Sequence, residues 1–299
     1  MKYKKDISII IRTYNEEKFL KKNISSILKQ EINQNIEIFV VDSGSTDNTI
    51  KIVNEFNIKL LKIKKKEFTY GRSLNIGCEK ATGKILVFLS AHCIPKDKYW
   101  LQKLVSPLLH NKCDFTYGRQ LGGKTSFFSE IQIFKKYYPN KDQIPQNSFY
   151  CNNANAAVKK NVWKKYKFDE NLSGLEDIEF GIKLINNNLK IGYCSRASVY
   201  HYHQETWRQI KNRFERESYA LSSIIPNSSI SIFSFIKLTL TSIYQDIILS
   251  RKLKKDVSLK SIIFYRLAQY YGSYIGGLHK KNIYKFNVDE YFYPSRNSH

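Results

Sequence analysis

The first third of the chain alternates between two hydrophobic periods. ISIIIRTY (7–14), IEIFVVDSG (36–44) and KILVFLS (84–90) are short, β-branched runs that read as buried strands, with a shorter run from Lys59 to Ile63. Between them, EKFLKKNISSILKQ, TDNTIKIVNEF and the stretch from Gly71 to Ala81 carry apolar residues at helical spacing. The resulting order, βαβαβαβ, predicts an α/β fold with a parallel sheet, helices on both faces, and ligands beyond the carboxyl ends of the strands. Polar residues follow the strands directly: Arg12, Thr13, Asn15 and Glu16 after the first, Asp42 to Asp47 after the second, and Ser90 to His92 after the last.

After Pro107 the pattern loosens, and Gly122-Gly123, Pro139 and Pro145 suggest loops and short strands shaping the second half of a pocket. From Trp207 onward it changes to long helices. One apolar helix is expected over Ile232 to Leu249, followed by the basic run RKLKKD. In the next, Leu259, Ile262, Ile263, Arg266, Leu267, Tyr270, Tyr271, Tyr274, Ile275 and Leu278 fall on one helical face. The expected division is a catalytic domain over 1–206 and a helical region over 207–299.

With 299 residues, 42% of them hydrophobic, the chain can bury a substantial core. Its 49 Lys+Arg against 26 Asp+Glu leave +23, which attracts anionic partners such as nucleoside diphosphates, lipid headgroups or nucleic acid. The lysines are spread along the chain and no nucleic-acid module is recognisable, so specific nucleic-acid binding is not expected. The five cysteines are scattered without a Cys-x-x-Cys pair, which suggests neither a disulfide framework nor a zinc cage, and a reducing cytoplasm is the expected location. The apolar run Ile7 to Ile11 is too short for a signal peptide, and no stretch reads as a membrane-spanning helix, so membrane contact is expected to be peripheral.

Three segments carry candidate chemistry. VVDSGSTDNT places Asp42 at a strand end, where a carboxylate can accept hydrogen bonds from a base or ribose; Asp47 either joins it or caps the next helix. LEDIEF supplies Glu176, Asp177 and Glu179, which are either catalytic acids or acids favoured by a helix N-terminus. VYHYHQETW places His201 and His203 two apart on a strand-like run, hence on one face, as metal or diphosphate ligands or as structural hydrogen-bonding histidines.

RTYNE (12–16), VVDSGSTD (40–47), YGRSLNIGCEKATGKILVFLSAHCIP (70–95), YGRQ (117–120) and LEDIEF (175–180) occur in an order and spacing that resemble glycosyltransferase family 2, closest to its rhamnosyltransferase-like, surface-polysaccharide branch. The resemblance covers about the first two thirds of the chain. It implies a GT-A fold, that is, a Rossmann-like, mostly parallel sheet flanked by helices, here with a C-terminal helical extension. It also implies a nucleotide-sugar donor, a glycan or lipid-linked glycan acceptor, and inversion at the anomeric carbon. Carried over by motif position, Thr13, Asn15 and Glu16 would line the nucleotide pocket with Ser90, and Asp42 would hold the base or ribose. Arg72 and Asn75 would lie near the diphosphate, although Asn75 also fits a helix-stabilising polar residue. Asn153 and Asn155 would meet donor or acceptor hydroxyls or else satisfy turns. Asp177 would be the base that deprotonates the acceptor, with Glu176 beside it.

One departure stands out. Where the family ends its fourth strand with an Asp-x-Asp-like pair for Mg²⁺ or Mn²⁺, this chain has Ser90-Ala91-His92. Imidazole suits Mn²⁺ better than Mg²⁺, so a divalent metal would be held by His92 with His203, or with His201 in its place, or no metal would be used. A catalytically silent scaffold is the alternative that this departure raises. The C-terminal helices would either pack, on the catalytic domain or on a second copy of the chain, or lie against anionic membrane.

Overall fold

The computed structural model describes residues 5–278. In chain order they form β1 (Lys5–Thr13), α1 (Glu17–Leu28), β2 (Ile36–Asp42), α2 (Thr49–Asn54), β3 (Lys59–Lys62), α3 (Tyr70–Lys80), β4 (Gly83–Ser90), β5 (Cys93–Pro95) and α4 (Trp100–Leu109). There follow β6 (Phe115–Gly122), α5 (Phe128–Tyr137), β7 (Asn155–Lys159), α6 (Lys160–Tyr166), α7 (Glu176–Asn186) and β8 (Ile191–His201). The last three helices are α8 (Trp207–Ile224), α9 (Ile232–Lys252) and α10 (Leu259–Leu278). Two compact units result. Of the described residues, the first takes 5–123 together with 137–171 and 176–202; the second takes 124–136, 172–175 and 203–278. Residues 279–299 of the helical region expected over 207–299 lie outside the described residues.

The first unit holds an eight-stranded sheet in the order β3-β2-β1-β4-β7-β6-β8-β5. β1 runs parallel to both β2 and β4, and with neighbours on both edges and helices on both faces its Ile7, Ile9, Ile10 and Ile11 are fully buried. The register pairs Thr13 with Asp42 and Arg12 with Ser90, so the three strands end level with one another and present their terminal residues together. Leu20, Ile24 and Ile27 of α1 and Trp100, Leu101 and Leu104 of α4 pack into the core with Ile9, Val40 and Val87. Beyond β4 the parallel pattern breaks. β7 is antiparallel to β4 and β6, and β5 to β8, while β6 and β8 are parallel. Nor does the chain loosen at Pro107, which lies inside α4, near its end; the stretch beyond it supplies β6, α5, β7, α6 and α7.

The second unit is helical, and the expected stripe on α10 is only partly inside: Ile262 and Arg266 are buried. Leu259, Leu267, Tyr271 and Leu278 are exposed, whereas Gly272 and Gly276 of α10 are buried against α8. A Cβ at Gly272 would stand 2.3 Å from the Lys211 carbonyl oxygen and one at Gly276 2.1 Å from that of Glu215, so only glycine lets the two backbones approach this closely. Among the described residues α9 alone is long and apolar enough to cross a membrane by length and composition, but Lys237 and Asp246 interrupt it, in keeping with the expectation of no uncharged span.

Candidate active site

The carboxyl ends of β1, β2 and β4 assemble two clusters of polar side chains in the first unit. The first begins at Arg12, the penultimate residue of β1. Its Nη1 donates to the Tyr70 carbonyl at 3.1 Å and to Glu176 Oε1 at 3.0 Å, and its guanidinium lies 5.1 Å from the centre of the Tyr70 ring. Glu176 also accepts from Asn153 Nδ2 at 3.4 Å. Asp177, next in the chain, accepts from the backbone N–H of Asn153 at 3.0 Å and of Ile178 at 2.9 Å. Both acids open α7, and the Leu175 backbone before them takes the strained left-handed φ of 57°.

Asp177 is 7% exposed. Burial and then the neighbouring Glu176 push its carboxyl up to about 7, against the opposing pull of the two N–H donors and Arg12. Such a group can take up and release a proton near neutral pH. Tyr138, Tyr150 and Cys151 also crowd it: all three are raised by burial first, and by the Asp177 charge as well. Thr13 Oγ1 and Asn153 Oδ1 are among the buried side-chain oxygens that have no hydrogen-bond partner within the described residues. Both belong to expected ligand-binding residues, and an orphaned buried oxygen is what a bound hydroxyl or amide would satisfy.

The second cluster joins Glu16, His92 and His201. His92 Nδ1 lies 2.8 Å from Glu16 Oε1, and the His92 and His201 rings stack with centroids 4.9 Å apart. His201 Nδ1 lies 2.6 Å from Gln120 Oε1. With an oxygen acceptor at each Nδ1, the proton belongs on that nitrogen and the lone pair on Nε2, the tautomer in which a histidine binds a metal. The residues therefore fit a divalent metal of imidazole preference. Ser90 stands beside them at the end of β4, its carbonyl accepting from Asn23 Nδ2 at 3.1 Å.

Among the other expected contacts, His203 follows β8, which ends at His201, and remains a candidate metal ligand. His203 belongs to the second unit, where Nδ1 meets Glu130 Oε1 at 2.7 Å, and Arg213 bridges Glu130 and Glu205 as their cation. Asn155, expected at a sugar hydroxyl, is 0% exposed; it accepts from Trp100 Nε1 and donates to the Ala197 carbonyl, holding the sheet together. Asn75 is likewise spent inside the fold, donating to the Phe168 carbonyl and Glu170 and accepting from Trp163 Nε1. Arg72 stands on the same helix, 3.9 Å from Glu170.

Asp42, expected to hold a base or ribose, is 1% exposed and closes its own turn, accepting from the N–H groups of Gly44 and Ser45. Gly44 has the left-handed φ of 92° that this turn requires. Asn15 Oδ1 accepts from the Thr46 N–H at 2.8 Å, tying the turn to β1, and Asp47 accepts from the N–H of Thr49 at the start of α2. Arg12 and Gln120 are the site residues that sequence reasoning did not assign. A lone cation ending an apolar strand was the available signal for Arg12, and Gln120 lay unassigned in YGRQ.

Comparison with known proteins gives one consistent result. A family model described as glycosyl transferase family 2 matches residues 8–167. The O-antigen chain rhamnosyltransferase RfbN of Salmonella typhimurium is 27% identical over 224 residues, 70% of this chain and 70% of the relative. Its counterpart WbaN of Salmonella anatum is 25% identical over 218 residues, 69% of each. Among solved structures, the mannosyltransferase PcManGT from Pyrobaculum calidifontis, in complex with GDP-Man and Mn²⁺, superposes with a TM-score of 0.62 at 15% identity, covering 93% of this chain and 87% of that one. Residues 1–349 of TarS from S. aureus, in complex with UDP, give 0.56 at 17% identity, covering 92% and 90%.

Proposed function

Because the chain belongs to glycosyltransferase family 2 and has the GT-A fold, we propose that it transfers a sugar, with inversion, from a nucleoside-diphosphate donor to a hydroxyl of a bacterial surface glycan. The named relatives support the acceptor class, since two of them build O-antigen chains. The observation that carries the reading is Asp177, a buried carboxyl lifted to about 7 at the carboxyl end of the sheet and hydrogen-bonded to Asn153, whose own Oδ1 is buried without a partner among the described residues.

In the proposed reaction Asp177 accepts the proton of the acceptor hydroxyl as that oxygen bonds to the anomeric carbon. On the opposite face the bond from that carbon to the diphosphate oxygen breaks, and its electron pair leaves with the nucleoside diphosphate. Glu176, fixed by Arg12 and Asn153, orients the acceptor. Thr13, Asn15 and Glu16, with the turn built on Asp42, flank the nucleotide, and Arg72 stands toward the diphosphate. His92 and His201 would hold a divalent metal, Mn²⁺ by ligand type, whose chemistry is to neutralise charge on the leaving diphosphate. Nucleotide-sugar complexes and Mn²⁺ in structurally similar proteins support this choice.

A melting-temperature screen against UDP, GDP and dTDP, with and without Mn²⁺, tests the donor side, since a ligand of the native state raises its melting point. Stabilisation by one of them is expected, followed by turnover of a sugar nucleotide carrying it. Activity should rise with pH through about 7 as Asp177 deprotonates. Flat melting curves with every nucleotide, in either condition, would remove the reading.

A further inference from the structure

α9 is built inside out. Its buried residues are Thr239, Asp246 and Ser250, all polar. Asp246 receives Arg266 of α10 through two hydrogen bonds, at 2.8 and 3.0 Å, and Ser242 meets the Tyr270 hydroxyl at 2.8 Å. Its outward positions are mainly apolar, with Lys237, Thr241 and Gln245 exposed among them. Ile232, Ile236, Leu240, Tyr244 and Ile248 recur every fourth residue, which at 3.6 residues per turn forms one continuous stripe, with Phe233 at its head. Phe233 is 81% exposed, Tyr244 66% and Leu240 63%. A helix whose outward face met only water would carry the opposite pattern.

The stripe ends in cations. Arg251, Lys252, Lys254 and Lys255 are exposed around Leu253, with no acid before Asp256. Arg251 and Lys252 suit the negative end of the helix dipole, but Lys254 and Lys255 lie past the helix and gain little from it. Clustered cations beside exposed aliphatic and aromatic side chains complement a surface that is anionic outside and apolar beneath. A second copy of the chain would instead bring another +23 toward this one. Nor does the helix suit a full crossing, because its inner face is fixed to α10 by the buried Asp246–Arg266 pair, and a crossing would carry that pair into hydrocarbon.

We propose that α9 lies in the plane of an anionic bilayer, with the Ile232–Ile248 stripe among the upper acyl chains and the Arg251–Lys255 cations on the headgroup phosphates. The proposal goes beyond the transferase reading and does not need it, and its test uses neither donor nor acceptor. The full chain is sedimented with vesicles of phosphatidylcholine alone and of phosphatidylcholine mixed with phosphatidylglycerol. Binding to the mixed vesicles is expected to exceed binding to the neutral ones by about tenfold and to weaken as salt is added.

The double variant Leu240→Ser, Tyr244→Ser should lose binding to both compositions. The variant Lys254→Glu, Lys255→Glu should lose only the preference for the anionic one. Both sets of residues face outward, so melting temperatures should match the parent. Equal sedimentation with and without mixed vesicles overturns the proposal. So does a lipid-free dimer that the serine variant converts to monomer, because the stripe would then be covered by a second copy.

Discussion

Two buried carboxylates at opposite ends of the sheet in the first unit are driven in opposite directions. At the amino ends of the strands, Glu37 accepts from Ser8 Oγ at 2.6 Å, from the N–H and Oγ1 of Thr82 at 2.6 and 2.8 Å, and from Lys59 Nζ at 2.7 Å. Burial alone would raise its carboxyl, yet these donors overcome it and hold the group down at about 2. At the carboxyl ends, burial of Asp177 is reinforced by Glu176, and the donors it has offset only part of the rise. Burial therefore does not decide whether an acid is structural or chemical. The balance of donors against neighbouring anions decides it, and here that balance puts the proton-accepting group at the end of the sheet where the ligand is expected.

The strongest test of this contrast is Asp177→Asn. If Asp177 is the base, turnover falls by about 10²- to 10⁴-fold while nucleotide binding persists. Stability carries a second signature. With a folded value near 7 against 3.8 unfolded, the native state holds a proton that the unfolded chain has released, so parental stability declines as pH rises through that window. The asparagine variant should lack this decline, which urea midpoints at both ends of the window would reveal. A variant that turns over at the parental rate would make Asp177 a second Glu37.

Next in size is Glu16→Gln. Glu16 lies 2.8 Å behind His92, and a carboxylate in that position raises the basicity of a metal-binding imidazole. Apparent Mn²⁺ affinity, measured by calorimetry, should weaken by about 10- to 100-fold. Equal affinity in parent and variant would discard the imidazole site. A subtler effect is expected from Arg12→Gln. Arg12 lowers Asp177, partly offsetting burial and the charge of Glu176. Removing the guanidinium should move the acid limb of the pH–rate profile to higher pH, whereas Arg12→Lys, which keeps the charge, should leave it in place. A lower rate with an unmoved limb would reduce Arg12 to a purely structural tie.

How far the sequence could be read follows from what each signal encodes. β1, β2 and β4 were legible because strands covered on both faces are near-continuous apolar runs, and locating their ends located Arg12, Thr13, Asp42 and Ser90. The bond from Arg12 to Glu176 spans 164 positions, and no local period encodes it. Asn75 and Asn155 looked like ligand contacts because a motif records a residue type but not which way its amide turns. In the second unit the helical period is legible but only part of its inside is: Ile262 and Arg266 of the stripe are buried, Leu259, Leu267, Tyr271 and Leu278 are not. Gly272 and Gly276 carry the packing of α10 on α8 through the side chains they lack, which a hydrophobic pattern cannot register. On α9 the same pattern identifies the outward face.

The smallest effect on activity, and the check on the other end of the sheet, comes from Glu37→Gln. Turnover should be unchanged, since Glu37 sits at the strand starts and its partners Ser8, Lys59 and Thr82 lie there too. The amide can keep its oxygen on Ser8 and Thr82 by turning its NH₂ toward the exposed Lys59, which then loses its acceptor to solvent, at a cost of about 1 kcal/mol. The sign with pH is opposite to that at Asp177. A carboxyl held at about 2 against 4.5 unfolded contributes stability that is fully present above 4.5 and lost as pH falls toward 2. The parent should therefore melt progressively lower across that acid window, and the glutamine variant, already destabilised at neutral pH, should converge with it there. Parallel curves for parent and variant would mean that Glu37 is not held as the anion, and the contrast between the two ends of the sheet would then rest on Asp177 alone.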